Sequence, residues 1–103
     1  MFQAQEFKKF EEIYPLVVDL DSLWETSQFK KIPKILEKLL GYGSDMKFRV
    51  PVCYIFSIIA EHDSSLLPHK IIKKCKGWLT SNNESLRLNS IVIIGSYLVK
   101  EKF

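Results

Sequence analysis

One segment of this sequence recurs after an offset of 38 residues, and this internal repeat constrains the fold more than any other feature. With Arg49 aligned on Arg87, the chain aligns with itself without a gap over about fourteen positions. Four residues before each arginine stands a residue suited to cap a helix, Asp45 in the first copy and Asn83 in the second. A lysine-rich amphipathic segment precedes each cap. The repeated unit is therefore predicted to be helix, turn, helix.

Apolar residues recur mostly at steps of three and four, and long alternating runs are absent, which favours an all-α fold of five to six helices. In the third helix Pro33 predicts a kink near the first turns, and Thr26 or Ser27 offers an N-cap. The expected helices cover residues 2–13, 15 to about 25, 29–40, 46–61, 66 or 68 to 79, and 84–102.

The repeat resembles the HEAT family of armadillo-like α-solenoids. In that family a polar turn carries Asp or Asn, an apolar residue precedes an Arg at the start of the second helix, and a small residue follows about two turns later. The matching residues are Asp45, Phe48, Arg49 and Ser57 in one copy and Asn83, Leu86, Arg87 and Gly95 in the other. The resemblance implies one domain of stacked antiparallel helix pairs over residues 1–103: a degenerate pair at 2–25, a repeat at 28–62 and a repeat at 66–102.

Arg49 and Arg87 each lie one helical turn after a cap residue. At that spacing a guanidinium can reach a carboxylate or amide oxygen, so we expect Arg49 to donate to Asp45 and Arg87 to donate to Asn83. The role predicted for these four residues is to hold the turn inside each repeat. A ligand-binding role for the two arginines is the alternative.

The last predicted helix is apolar on almost all sides, although only about one face of it can pack on its own repeat. Solenoids need roughly three or more stacked units. The chain is therefore expected to be either a piece of a longer solenoid or a small protein that self-associates through this helix as its concentration rises. The apolar residues around the axis are Leu88, Ile91, Val92, Ile93, Ile94, Tyr97, Leu98 and Val99.

No combination of residues predicts catalysis or a bound cofactor. Cys53, His62, His69 and Cys75 lack the paired close spacings of structural zinc sites. Both cysteines lie among apolar residues, which raise a thiol pKa and block access to it. The sequence also lacks a Gly-rich phosphate loop and a nucleophile elbow. We therefore expect a protein that is not an enzyme and that binds no metal.

The cysteines and the N-terminus indicate the compartment. Two cysteines inside apolar helical segments imply no disulfide framework. Charged residues occupy the N-terminal region, where an export signal would be apolar, and the apolar runs are far shorter than the ~20 residues that cross a bilayer. A cytoplasmic protein without a membrane span is expected.

The size and architecture favour an interaction role. A chain of 103 residues can bury one core but rarely also encloses an enzyme pocket. Stacked second helices would present a shallow surface to a protein or peptide partner, an inference that rests on analogy between folds. The candidate contact residues on that surface are Tyr54, Glu61 and Tyr97.

Lysines indicate the alternative function, the binding of nucleic acid or another polyanion. The net charge is only +3, but residues 1–27 carry −4 and residues 28–103 carry +7. If the first helices of the repeats stack side by side, their lysines form one basic stripe: Lys30, Lys31, Lys34, Lys38, Lys70, Lys73, Lys74 and Lys76. A solvated outer face is the other interpretation of these lysines, since no aromatic residue is evidently placed among them for base stacking.

Overall fold

A computed structural model describes residues 3–102 of the chain, with side chains described for residues 3–99. Over that range there are five α-helices and no strand, so the all-α prediction is confirmed. The α-helices are α1 (Tyr14–Glu25), α2 (Ile32–Gly41), α3 (Met46–His62), α4 (His69–Trp78) and α5 (Glu84–Lys102). Short 3-10 turns occur at Ala4–Phe7, Phe29–Lys31, Tyr42–Ser44 and Ser64–Leu66.

The N-terminal segment differs from the helix pair expected over residues 2–25. Where the first helix of that pair was expected, the structure has a 3-10 turn and then irregular chain, and Phe2 lies outside the described residues. The apolar positions in this segment are too widely spaced to give a continuous helical stripe. Phe7 and Ile13 are nonetheless buried, because the segment folds back onto α3.

The start of α2 also departs from the prediction. Pro33 lies in the first turn of the helix, where its missing N–H has no partner to lose, and it therefore causes no kink inside the helix. Thr26 does not cap α2, because its hydroxyl donates to the Ser22 carbonyl at 2.8 Å and closes the end of α1. Ser27 adopts a positive φ of 57°. Thr26 therefore ends α1, and α2 begins without a side-chain cap.

Asp45 and Asn83 occupy matching places in the two copies of the repeat. Asp45 Oδ1 accepts from the Lys47 backbone N–H at 2.9 Å at the start of α3. Asn83 Oδ1 accepts from the Leu86 backbone N–H at 3.0 Å at the start of α5. Each side chain thus satisfies a backbone N–H that a helix start would otherwise leave unpaired.

The two arginines that follow these caps are not equivalent. The expected hydrogen bonds from Arg49 to Asp45 and from Arg87 to Asn83 are absent among residues 3–99, where the cap oxygens accept from backbone N–H groups instead. Arg87 Nη1 donates to the Ser81 carbonyl at 2.7 Å. Arg49 Nε is buried without a hydrogen-bond partner. The two turns are therefore held in different ways.

The hydrophobic core lies between α3 and the helices around it. α3 packs along α5, α4 packs on α5, and α1 packs on α2. The packed helices form one body that measures 36 × 32 × 19 Å along its principal axes. The largest fully buried side chains are Phe48, Phe56, Ile13, Leu20, Ile32, Leu36, Leu39, Ile55, Ile59, Ile71, Ile93 and Val17.

Candidate functional site

Helix α5 buries three polar side chains next to the buried Ile93, and it exposes several apolar side chains on its other side. Ser85, Asn89 and Ser90 are each at most 3% exposed, whereas Ile91 and Val99 are 56% and 62% exposed. An amphipathic helix at the surface of a globular protein has the opposite arrangement, with its apolar stripe toward the core. The orientation of α5 is therefore the most unusual feature of the molecule.

Polar contacts hold α5 in this orientation. Ser85 Oγ donates to the Gly43 carbonyl at 2.6 Å, and Asn89 Nδ2 donates to the same carbonyl at 3.5 Å. Near the other end of the helix, the hydroxyls of Ser96 and Ser57 lie 3.3 Å apart and join α5 to α3. Buried polar groups are costly without partners, and these bonds give partners to Ser85, Ser96 and Asn89 Nδ2, whereas Asn89 Oδ1 is buried without one.

The opposite side of α5 forms a continuous apolar surface, which we call the α5 outer face. At 100° per residue its members fall on one side of the helix, with Gly95 at the centre. No charged residue occurs between Leu88 and Val99. The exposed apolar area is on the order of 400 Å², within the range of the largest patch on a typical monomer, which is often functional. The members are Leu88, Ile91, Val92, Gly95, Leu98 and Val99.

The three residues predicted to contact a protein partner do not form one cluster. Tyr54 and Glu61 are both exposed and lie seven residues apart on one side of α3. Tyr97 is only partly exposed and packs against the core. Sequence reasoning missed the α5 outer face itself, because a helix that is apolar all round does not indicate which side is buried.

A shallow cleft beside Tyr54 was also missed. It has a volume of about 330 Å³ and separates the N-terminal 3-10 turn from α3. The rings of Phe7 and Tyr54 lie 6.1 Å apart across it. Val50 and Tyr54 lie one turn apart on α3 and are both exposed, and no sequence signal indicates the cleft because their exposure follows only from the fold. Its lining residues are Glu6, Phe7, Lys9, Phe10, Val50, Pro51 and Tyr54.

One ion pair links the lysine-bearing helices α2 and α4. Lys70 Nζ of α4 is 3.2 Å from Glu37 Oε1 of α2, and the Lys70 side chain is largely exposed. All eight lysines named for the basic stripe are exposed. Within residues 29–41 and 69–78, Glu37 is the only acidic residue. We call this surface the lysine face.

An aromatic ring does lie beside the lysine face. Phe29 is 40% exposed, and with Lys30 and Lys31 it lines a hollow of about 450 Å³. Its ring packs on the edge of Trp24 at a centroid distance of 5.3 Å. One partly exposed aromatic ring therefore adjoins two of these lysines in the same hollow.

The cysteines and histidines are dispersed. Both cysteines are free thiols. Burial raises the pKa of the Cys75 thiol to about 11, which the adjacent Ser90 hydroxyl only partly offsets. Burial also raises the pKa of Cys53, and the positive charge of Arg49 opposes that shift. Among residues 3–99 no group of three His, Cys, Asp or Glu side chains could hold a metal ion.

Comparison with known proteins gives no assignment. The sequence matches no protein-family model, and neither the curated proteins nor the solved structures give a significant match. Within the described part of the chain, none of the helices has the length and apolar character that a membrane crossing requires.

Proposed function

We propose that this protein is a non-enzymatic protein-binding module, a scaffold of HEAT-like helix pairs that docks a partner on the outward sides of α3 and α5. The observation that carries the proposal is the α5 outer face, which exposes isoleucine, leucine and valine while serine and asparagine are buried. Apolar patches of this kind mark interaction sites on soluble proteins.

Support for the HEAT-like arrangement comes from the repeat and from the packing of its second helices. In this proposal α2 with α3 and α4 with α5 are successive hairpins, and α3 lies beside α5 as second helices do in a stack. Asp45 and Asn83 cap the two second helices from matching positions, Asp45 through the Lys47 N–H and Asn83 through the Leu86 N–H. The proposal includes Val50 and Tyr54 on α3 as further contact residues, because both are exposed.

The test is affinity capture from a native extract with identification by mass spectrometry. The Val92→Lys/Leu98→Lys double variant introduces charge on the α5 outer face, and we expect it to lose the proteins that the wild type retains. Leu79→Lys is the matched control, because Leu79 is equally exposed but lies outside that face at the end of α4. Identical capture by the wild type and the double variant would contradict the proposal.

A second function, the binding of a polyanion such as nucleic acid, is favoured by the ion pair that joins the lysine-bearing helices. Eight lysines against one glutamate give a local excess of positive charge, and the affinity of such a surface falls steeply with salt. The test is a gel shift with nonspecific duplex at low and high salt. Lys73→Glu/Lys74→Glu should weaken binding, whereas Lys8→Glu/Lys9→Glu, at exposed lysines of the acidic N-terminal segment, should change it little. If the two double variants changed the affinity for duplex equally, the lysine face would not be the binding site.

A further inference from the structure

The hollow beside the lysine face combines an exposed aromatic ring with two lysines. It has a volume of about 450 Å³ and is lined by the consecutive residues 27–31. Phe29 is 40% exposed, although phenylalanine is one of the residue types most often buried. Lys30 and Lys31 are exposed and line the same hollow. An aromatic surface and two positive charges are therefore available to one ligand.

Contacts within the chain hold the Phe29 ring in this exposed position. The ring makes an edge-to-face contact with Trp24 of α1 at a centroid distance of 5.3 Å, and Trp24 contacts the His62 ring of α3, also at 5.3 Å. The turn before Phe29 is closed by the Gln28 backbone N–H, which donates to the Leu23 carbonyl at 2.8 Å. Because the ring is already held, a ligand that stacks on its exposed part orders little further side chain.

The positive charge of the hollow continues along α2. Lys34 and Lys38 are exposed and lie four residues apart, on one side of that helix. Within residues 26–38 four lysines stand against one acidic residue, Glu37, whose Oε1 is 3.2 Å from Lys70 Nζ. The surface is therefore complementary to a negatively charged ligand.

We infer that the hollow binds single-stranded nucleic acid, with one base stacked on Phe29 and the adjacent phosphates bound by Lys30, Lys31 and the lysines of α2. In a duplex the bases cover each other's faces, whereas every base of a single strand has a π-face that an aromatic side chain can contact. Lysines bind the phosphates of either form. The exposed ring is therefore the feature that favours a single strand. The inference rests on the polyanion-binding function proposed above and names its ligand.

An anionic lipid surface fits the same region less well. A helix that lies on a membrane presents its apolar side to the lipid. The apolar side of α2, formed by Ile32, Leu36, Leu39 and Leu40, is buried in the core instead. Phe29 is then the exposed apolar side chain of the hollow, and one ring is a small anchor. A lipid surface is therefore tested as the competing ligand.

Fluorescence anisotropy of the intact chain with labelled oligonucleotides of about 12 nucleotides tests the inference at low salt. The probes are oligodeoxyuridylate, oligouridylate and a DNA duplex of the same length. The two single strands differ only in the 2′-hydroxyl, so they distinguish DNA from RNA. At least one of them should bind at least about fivefold more tightly than the duplex, which is the effect of stacking one base.

Phe29→Leu removes the π-face but keeps an apolar side chain against Trp24. It should weaken single-strand binding at least about fivefold and leave duplex binding unchanged. Thermal unfolding checks that the variant is folded. The preference for a single strand is measured on the wild type, so it tests the inference whether or not Phe29→Leu is stable.

Phe29→Tyr and Tyr54→Leu are the matched controls. Phe29→Tyr keeps a π-face and should bind the single strand like the wild type. Tyr54 is another exposed ring, 46% exposed, but it lies on α3 beside a cleft whose charged residues are Glu6 and Lys9. Tyr54→Leu should therefore change neither single-strand nor duplex binding.

The outcomes separate this inference from the function on which it rests. Single strands that bind no more tightly than the duplex, or equal single-strand binding by the wild type and a folded Phe29→Leu variant, would overturn the inference. If Lys73→Glu/Lys74→Glu then weakens the binding of both forms, the polyanion-binding function stands without a preference for single strands. A wild type that binds neither form at low salt overturns both, and its binding to vesicles of phosphatidylcholine and phosphatidylserine would show a lipid ligand instead.

Discussion

Asn89 of α5 lies so close to Gly43 that a side chain at position 43 would have to displace the Asn89 amide. A Cβ added there would be 2.6 Å from Asn89 Nδ2, while the Gly43 carbonyl accepts hydrogen bonds from Asn89 Nδ2 and Ser85 Oγ. Gly43 belongs to the 3-10 turn Tyr42–Ser44, which leads into α3. The turn of one repeat is thus fixed to the second helix of the other, and this contact determines which side of α5 faces outward.

Gly43→Ala should therefore lower the free energy of unfolding by about 1–3 kcal/mol, as overpacking of a buried position does. Gly41→Ala is the control, since a Cβ there would meet nothing within 4 Å and the backbone is helical with a φ of −61°. That substitution should leave stability unchanged or raise it by up to ~1 kcal/mol. Urea denaturation of both variants provides the comparison.

A double variant checks the cause of the effect. Asn89→Ala removes the amide that a Cβ at position 43 would strike, so Gly43→Ala should cost less in the Asn89→Ala background than in the wild type. Equal costs in the two backgrounds would mean that the close approach of Asn89 is not what excludes a side chain at position 43.

The caps of α3 and α5 should contribute unequally to stability. Asp45→Ala removes one acceptor for a helix N–H and should cost about 1 kcal/mol. Asn83→Ala should cost more, because Asn83 caps α5 and also donates through Nδ2 to the Ser44 carbonyl at 3.0 Å. Thermal unfolding measures both, with Asn82→Ala, at the exposed neighbour, as the control.

Asn83→Asp separates the two contributions of that side chain. The carboxylate keeps the oxygen that accepts from the Leu86 N–H but cannot donate to Ser44. The melting temperature of the Asn83→Asp variant should lie between those of the wild type and Asn83→Ala. An Asn83→Asp variant that is no more stable than Asn83→Ala would show that the cap contributes little.

The sequence was sufficient to predict the helices of the repeat. The bounds of α5 agree with the prediction, and those of α3 differ by one residue, because Asp45 and Asn83 are local signals that act on adjacent backbone. Pro33 does not produce the predicted kink, because it lies in the first turn of α2 and the effect of a proline depends on where the helix begins. The local sequence pattern therefore predicts which segments are helical better than it predicts where each helix begins and ends.

The orientation of α5 could not be predicted in the same way. Apolar residues surround its axis, so periodicity gives no preferred buried side. The buried side is selected by Ser85 and Asn89 through contacts with Gly43, which lies more than 40 positions earlier in the chain. Arg87 contacts its turn through the Ser81 carbonyl, not through Asn83, and Arg49 Nε is buried without a partner, so the two arginines differ although their sequence positions match.

The buried thiol of Cys75 should make stability fall at alkaline pH. Its pKa is raised from 9.0 to about 11, so above pH 9 the unfolded chain releases the proton while the folded chain retains it. The contribution is fully present below pH 9 and is lost as pH rises toward 11, by about 3 kcal/mol in all. Urea denaturation at pH 8 to 10.5 of the wild type and Cys75→Ala measures it.

The difference between the two curves isolates the thiol, because lysines that titrate in the same range are common to both chains. Cys75→Ala should lose less stability than the wild type between pH 9 and 10.5. Parallel curves would contradict the expected pH dependence. Native-state labelling with a maleimide at pH 8 gives a second readout, in which buried Cys75 reacts more slowly than half-buried Cys53.

Replacement of Glu37 tests whether the lysine face is a binding surface. It is the only acidic residue within residues 29–41 and 69–78, and its ion pair with Lys70 is solvent-exposed, so the pair contributes at most ~1 kcal/mol to stability. Glu37→Gln should raise the affinity for nonspecific duplex at low salt, because it frees Lys70 and removes the only negative charge there. Fluorescence anisotropy with labelled duplex measures the change.

Glu12→Gln is the matched control, since Glu12 also pairs with a lysine, Lys47 at 3.9 Å, but lies in the acidic N-terminal segment away from α2 and α4. If the lysine face binds the duplex, Glu37→Gln should raise the affinity more than Glu12→Gln does, and the difference should vanish at high salt because counterions then screen both sites. Equal gains from the two substitutions would indicate a response to net charge alone. In that case the lysines of α2 and α4 form a solvated surface, and the α5 outer face remains as the proposed site of binding.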